Sequence, residues 1–282
     1  MIYYFSGTGN SLYVARHLAD ALGERLCPMQ LSSVSSLKEQ ADASVGLVFP
    51  VYAWGIPSVV EAFAKAFPKE GGSFLYAVMT CGDDMGYTDR VLEKALGRQL
   101  DAAFSVLMPD VYVCLPGFDV DSKEECREKF RQEETRVKEI AECVKARKQV
   151  RLLKRGPFPW LKTYVLRPLF NRYLVTDKYF RADASKCIAC GRCSKTCPVG
   201  NIQAYPRPLP KGMGESKSFP LGEDLGEALG GDLEEAYPQW QSHCVGCLAC
   251  YHACPYHAIN FGKMTQHKGQ YNLQLTISQL DK

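Results

Sequence analysis

The chain has 282 residues and 46% hydrophobic content, enough for two domains that each bury a core. Its net charge of +3 is close to neutral, and no nucleic-acid partner is expected. Thirteen cysteines would indicate a disulfide scaffold in a short secreted chain, but the first residues show no basic region followed by an apolar stretch and nothing else points to secretion. No run of about 18 apolar residues is present to span a bilayer, so reduced cysteines in a cytoplasmic protein are expected.

The near-neutral total hides a segregation of charge. Residues 1–120 carry 8 Lys/Arg and 13 Asp/Glu, residues 121–182 carry 17 and 9, and residues 183–282 carry 9 of each. An acidic first part is therefore followed by a basic middle, an arrangement that can steer a partner and says nothing of the fold.

In chain order, Ile2–Phe5 reads as a short buried strand, followed by Ser6-Gly7-Thr8-Gly9-Asn10-Ser11. An amphipathic helix follows, with Leu12, Ala15, Leu18, Ala19 and Leu22 on one face, and it ends near Gly23. A second strand is expected over Arg25–Leu31. The run Val45–Val51 is continuously apolar, the mark of a strand covered on both faces. After Tyr52-Ala53-Trp54-Gly55 comes a helix from Ser58 to about Phe67. A fourth strand, Phe74–Thr80, leads into Cys81-Gly82-Asp83-Asp84-Met85-Gly86 and a helix from Tyr87 to about Leu96. A fifth strand is placed at Ala103–Leu107, with a possible extension to Val113. Ser122 and Glu125 form a capping box opening a long charged helix. Strand and helix alternating in this way give a doubly wound parallel sheet over residues 1–150, with ligands at the carboxyl ends of its strands.

Residues 151–182 mix aromatics with eight basic residues and one acid. They are read as a linker, with two roles left open: cover for a domain junction, or docking face for an acidic redox partner. A membrane-surface role ranks third.

Residues 183–282 hold the strongest chemical signal. Cys187-x2-Cys190-x2-Cys193-x3-Cys197-Pro198 recurs as Cys244-x2-Cys247-x2-Cys250-x3-Cys254-Pro255. This is the run of bacterial two-cluster ferredoxins, in which the fourth Cys ligates the other cluster. Cys187, Cys190, Cys193 and Cys254 are thus expected to hold one [4Fe–4S] cluster, and Cys244, Cys247, Cys250 and Cys197 the second. Zinc, the competing ion, usually takes two separated pairs, and neither the third in-line Cys nor the duplication is expected of it. Cys27, Cys81, Cys114, Cys126 and Cys143 lack metal spacing and read as small core residues. Between the two runs, residues 205–238 are rich in Pro, Gly and acids and read as an irregular insertion with at most a short helix near Leu225–Leu229. Asn201–Ala204 and Ala258–Phe261 follow the two runs as similar short strands, which makes an internal repeat.

Ser6-Gly7-Thr8-Gly9-Asn10-Ser11 is the second signal. A tight turn from strand into helix aims backbone N–H groups and hydroxyls at an anion. No Gly-Lys-Ser/Thr follows, so it is not a Walker loop, and Leu12 stands where a dinucleotide fingerprint needs its third Gly or Ala. In a doubly wound sheet the loops after the third and fourth strands flank the same crevice. Of the loop Tyr52-Ala53-Trp54-Gly55, Tyr52 and Trp54 then offer aromatic faces to a flat ring, and Thr80, Gly82 and Gly86 allow backbone to approach its edge in a loop that also brings Cys81, Asp83 and Tyr87 to the cofactor.

These three loops resemble flavodoxin, and residues 183–262 resemble bacterial two-cluster ferredoxins. The chain as a whole resembles the flavodoxin–ferredoxin fusion proteins of anaerobic bacteria. The resemblance implies a five-stranded flavodoxin-like sheet, FMN with its phosphate in the first loop and its ring clasped by the other two, and a small α+β two-cluster domain. It implies electron transfer between the clusters and FMN, with a redox partner protein rather than NADH as reductant. The alternative is a ferredoxin-fed, FMN-dependent reductase of a small organic substrate.

Overall fold

The computed structural model describes residues 1–34, 43–203 and 237–280. The first part is built on β1 (Ile2–Tyr4), β2 (Leu26–Pro28), β3 (Ser44–Pro50), β4 (Phe74–Cys81), β5 (Ala102–Leu107) and β6 (Val150–Leu152). They form one sheet in the order β2-β1-β3-β4-β5-β6, every pair parallel. Its first five strands follow the flavodoxin-type doubly wound order, which places the crevice beside β1 and β3.

The sequence expectation of five strands misses β6. That strand is a three-residue edge with its middle residue, Arg151, exposed, too short to show a period. β2 is likewise shorter than expected, ending at Pro28 opposite the last residue of β1, with one more ladder bond from Met29 N–H to Tyr4 C=O at 2.8 Å. β5 ends at Leu107, while Val113 and Cys114 lie in a separate core with Phe180, Cys193, Leu248 and Cys250. The apolar run beyond Leu107 is therefore shared: Met108 and Val111 still pack on the core of the sheet, and Val113 and Cys114 serve the cysteine-rich part.

Helices α1 (Asn10–Leu22) and α4 (Lys123–Lys145) cover one face of the sheet, and α2 (Ser58–Ala66) and α3 (Thr88–Leu96) the other. All eight residues of β4 are buried: Leu75, Ala77, Met79 and Cys81 face α2 and α3, and Phe74, Tyr76 and Val78 face α1 and α4. The capping box of α4 is formed in both directions. Glu125 N–H donates to Ser122 Oγ at 3.2 Å, and Ser122 N–H donates to Glu125 Oε2 at 2.9 Å.

The basic segment is largely helical: α5 (Pro159–Leu161) runs through a π turn (Lys162–Leu166) into α6 (Arg167–Tyr173). Beyond it lie β7 (Phe180–Ala182), α7 (Arg192–Thr196), β8 (Ile202–Gln203), β9 (Gln239–Trp240), α8 (Ala249–Ala253), β10 (Ile259–Phe261) and α9 (Leu273–Leu280). β7 pairs antiparallel with β10, and β8 with β9. Most of the 205–238 insertion, with the helix expected near Leu225–Leu229, lies outside the described residues.

The two cysteine runs repeat in backbone as well as in sequence. Left-handed residues stand at matching positions: Ala189 and Gly246, Gly191 and Leu248, Gly200 and His257. Asn201 N–H points at Cys197 Sγ at 3.2 Å, and Ala258 N–H at Cys254 Sγ at 3.3 Å.

Candidate functional site

Cysteines of the two runs come near one another across the repeat. Cys187, Cys190 and Cys193 line one cavity together with Cys254, from the far run. Cys197 in turn stands close enough to Cys244, Cys247 and Cys250 for its charge to raise their thiol pKa values. The two sets differ in exposure. Cys190 of the first set is the one exposed cysteine of the eight, whereas Cys247 and Cys250 of the second are buried. Burial pushes the free thiols up, Cys193 to about 11 and Cys247 to about 12. Loading metal must therefore displace protons from thiols held in an apolar setting, and sulfur–metal bonding supplies the driving force.

Of the other five cysteines, Cys81, Cys114, Cys126 and Cys143 are buried, as small core residues should be, while Cys27 is half-buried. Cys81 is pushed to about 12, first by burial, so it is a packed thiol rather than a nucleophile.

The glycine loop opens α1. Gly9, its N-cap, is left-handed at φ 104°, a conformation glycine adopts at low cost, and no side chain caps the helix. The first-turn N–H groups thus face the loop, and Ser6 Oγ beside them is buried without a partner. This donor set suits an anion. Two hydroxyl or amide groups of the loop are engaged elsewhere. Ser11 Oγ is 2.7 Å from Thr80 Oγ1, and Asn10 Nδ2 donates to Pro109 C=O at 2.9 Å.

The second run sits directly on this loop. A β-carbon built on Gly7 would lie 2.7 Å from Cys247 Cβ and 2.7 Å from the Tyr52 hydroxyl. Tyr52 is held un-ionised well above its usual range, by burial first and then by Cys247 and Cys244. From the other side, Tyr271 O–H donates to Asn10 Oδ1 at 2.6 Å, and Tyr271 N–H donates to His252 Nδ1 at 3.0 Å. His252 Nε2 is then the protonated nitrogen and donates to Val111 C=O at 2.8 Å, in keeping with a pKa lowered to about 4 by burial. A hydrogen-bonded chain thus runs from the helix inside the second cysteine run to the glycine loop.

The aromatic loop is a two-residue turn. Tyr52 and Gly55 exchange N–H···O=C bonds of 3.0 and 3.1 Å, with Ala53 at φ 46° and Trp54 at φ 56°. Two consecutive non-glycine residues in the left-handed region cost about 1–2 kcal/mol each, so the surroundings must hold them. The basic segment does this. Thr163 Oγ1 donates to Trp54 C=O at 3.1 Å and accepts Tyr87 N–H at 2.9 Å, which ties the 52–55 loop to the 81–87 loop. Lys162 Nζ pairs with Asp84 at 2.5 Å and lies 5.6 Å from the Trp54 ring centre. Arg167 covers Gly55, where a β-carbon would clash with its Nε, and donates to Ile56 C=O at 3.1 Å. Gly82 and Gly86 are closely approached too, by Asp110 and by Thr163 with Trp54.

The structure therefore brings all three expected loops to one end of the sheet and adds Lys162, Thr163, Arg167, His252 and Tyr271, which sequence reasoning missed. Part of this was signalled. The basic segment follows an acidic domain, and Arg151, Lys154, Arg155 and Lys162 pair with Asp89, Glu93, Asp83 and Asp84 of that domain. Nothing in the sequence marks Thr163 or Tyr271.

Residues 186–259 match the family described as the 4Fe-4S dicluster domain. Ferredoxin-3 of Nostoc sp. (strain PCC 7120) is 36% identical over 73 residues, which make up 26% of this chain and 66% of that ferredoxin, just under two thirds of its length. Among solved structures, a Streptococcus pneumoniae TIGR4 flavodoxin is 18% identical over 51% of this chain and 96% of its own, with a TM-score of 0.36. The rubredoxin oxygen:oxidoreductase of Desulfovibrio gigas is 20% identical over 52% of this chain and 36% of its own, also with a TM-score of 0.36. A sheet with the flavodoxin-type strand order is thus followed by a segment, residues 186–259, that matches the 4Fe-4S dicluster domain.

Proposed function

We propose that the chain carries electrons between a redox partner protein and FMN by way of two [4Fe–4S] clusters arranged in series. Cys187, Cys190, Cys193 and Cys254 hold the outer cluster, which is open to a partner through Cys190. Cys244, Cys247, Cys250 and Cys197 hold the inner one. The observation that carries this reading is the seating of Cys247 against Gly7 and Tyr52, which sets the inner cysteine loop on the loop that would bind the flavin phosphate.

FMN, when bound, supplies a centre that accepts one or two electrons, whereas each cubane handles one. The chain's own residues do the rest. Ser6 Oγ, Thr8 and the first-turn N–H groups of α1 hold the phosphate, and Trp54 and Tyr87 present aromatic faces to the ring. Lys162, Thr163 and Arg167 hold those two loops in place.

Anaerobically purified protein should contain about eight iron and eight sulfide per chain, with FMN released on denaturation. Cys197→Ser should remove the inner cluster and spare the outer, through the crossed ligation. Zinc in place of iron, a single cluster in the parent protein, or a flavin other than FMN would overturn the reading.

A further inference from the structure

The helical stretch Pro159–Tyr173 is built inside out. Its inward side carries Lys162, Thr163 and Arg167, all bonded to the loops beneath. Its outward side carries Trp160, Leu161, Val165, Leu169 and Tyr173, with Phe158 just before its first residue, and the six are 39–75% exposed. A surface helix of a globular protein normally has the reverse pattern. Contiguous exposed apolar surface of this kind marks an interaction site.

Charge narrows the occupant. No Asp or Glu occurs between Val150 and Thr176. Exposed Arg172 stands in the last turn of the stretch and exposed Lys178 five residues beyond its end, past the buried Asp177, and the Arg172 guanidinium lies 5.7 Å from the Tyr173 ring centre. Trp, Tyr, Phe and Leu with cations and no acid is the composition of a helix that lies in a lipid interface. A second copy of the chain fits less well. A two-fold contact would set these cations against their own copies, with no acid on the stretch to compensate. The stretch is about 22 Å long, short of the bilayer's hydrocarbon core. Among the described residues no helix is long and apolar enough to cross a membrane, so this helix would lie on the surface.

We propose that this face docks on the surface of an anionic lipid bilayer, with the helix axis in the plane of the membrane. The inference stands apart from the cofactor reading, since it rests on exposure and charge alone. The loops at 52–55 and 84–87, bonded to the inward side, would sit just behind the docking face.

The test is co-sedimentation of the full, cofactor-loaded chain with vesicles of equal parts phosphatidylglycerol and phosphatidylcholine. Binding is expected, weakened by salt and by vesicles of phosphatidylcholine alone. The variant Phe158→Ser, Trp160→Ser, Val165→Ser, Leu169→Ser should need at least about tenfold more lipid for half-binding. Its iron and flavin contents, equal to those of the parent, would show that the fold is kept. Arg172→Glu with Lys178→Glu should weaken binding to the anionic vesicles only. Absence of vesicle binding, or binding unchanged in the serine variant, would overturn the proposal. So would a parent dimer that the serine variant converts to monomer, which would assign the face to a second copy. Protein that, purified anaerobically, contains neither iron nor flavin and yet binds the vesicles would sink the cofactor reading and leave this one standing.

Discussion

Ser6 and Ser11 are both hydroxyls of one glycine loop, yet their surroundings give them different work. Ser6 Oγ is buried and unpartnered, whereas Ser11 Oγ already bonds Thr80 Oγ1 within the core. A hydrogen bond to a charged group contributes about 1.5–3 kcal/mol. Ser6→Ala should therefore weaken flavin binding by about tenfold to a hundredfold, read by fluorescence titration of flavin into the stripped protein. Ser11→Ala should instead lower the melting temperature and leave that affinity within about threefold. The two serines look alike in sequence, and only the packing of α1 on β4 separates them. His17 gives a second residue-level test. Its ring is 3.1 Å from Glu133 Oε1, a carboxylate that is 1% exposed, and that hydrogen bond is the main cause of a raised pKa. A base whose folded pKa is raised stabilises the fold below its ordinary value of 6.5 and loses that contribution as pH climbs through the folded value. The parent should thus lose up to about 1 kcal/mol relative to His17→Gln between slightly acid and alkaline pH, a small effect because His17 is 38% exposed. Denaturant unfolding of both proteins across that range checks it, and parallel pH profiles would exclude the pair.

Elements with strong periods were legible from the sequence. β3 and β4 are long and apolar because both faces are covered, and α4 announces itself by its capping box. The short edge strand β6 and the end of β5 were not legible, since three residues carry no period and an apolar run does not say which core it joins. The basic segment shows a deeper limit. Its helical pattern is inverted, so a rule that turns apolar residues inward would misplace Thr163 and Arg167. The π turn there matters through one hydroxyl, which both donates to Trp54 C=O and accepts from Tyr87 N–H. Thr163→Val keeps the shape but orphans both backbone groups, at a cost of about 1–3 kcal/mol each if they stay buried. Flavin binding should weaken and the melting temperature fall, and Thr163→Ser should restore both. An inert Thr163→Val would mean that the two loops hold their positions unaided.

For the whole molecule, the separate charges of the sequence become internal contacts. The acidic sheet domain and the basic segment meet at Asp89, 1% exposed on its side chain and bonded by both Arg151 and Arg155. Of the eight basic residues that the sequence offers to an acidic partner, Arg151, Lys154, Arg155 and Lys162 are thus held in ion pairs by their own chain, and Arg167 bonds Ile56 C=O. The two halves meet again at Gly7, where the second cysteine run lies against the glycine loop. Gly7 does not have a positive φ, so alanine meets no backbone penalty there, and the whole effect of Gly7→Ala is steric. Its methyl would fall 2.7 Å from both Cys247 Cβ and the Tyr52 hydroxyl, closer than packed atoms approach. Cys247 is fixed by its run and Tyr52 by its turn, so the two halves must part by several tenths of an ångström. Iron content should be unchanged, because no ligand is altered. Flavin affinity should drop by about tenfold or more, the scale of an overpacked contact costing about 1–3 kcal/mol. The rate at which electrons placed on the clusters reach the flavin, followed by stopped-flow absorbance, should drop with it. A Gly7→Ala protein with normal flavin content and an unchanged rate would show that the electron route does not pass where Cys247 meets the glycine loop.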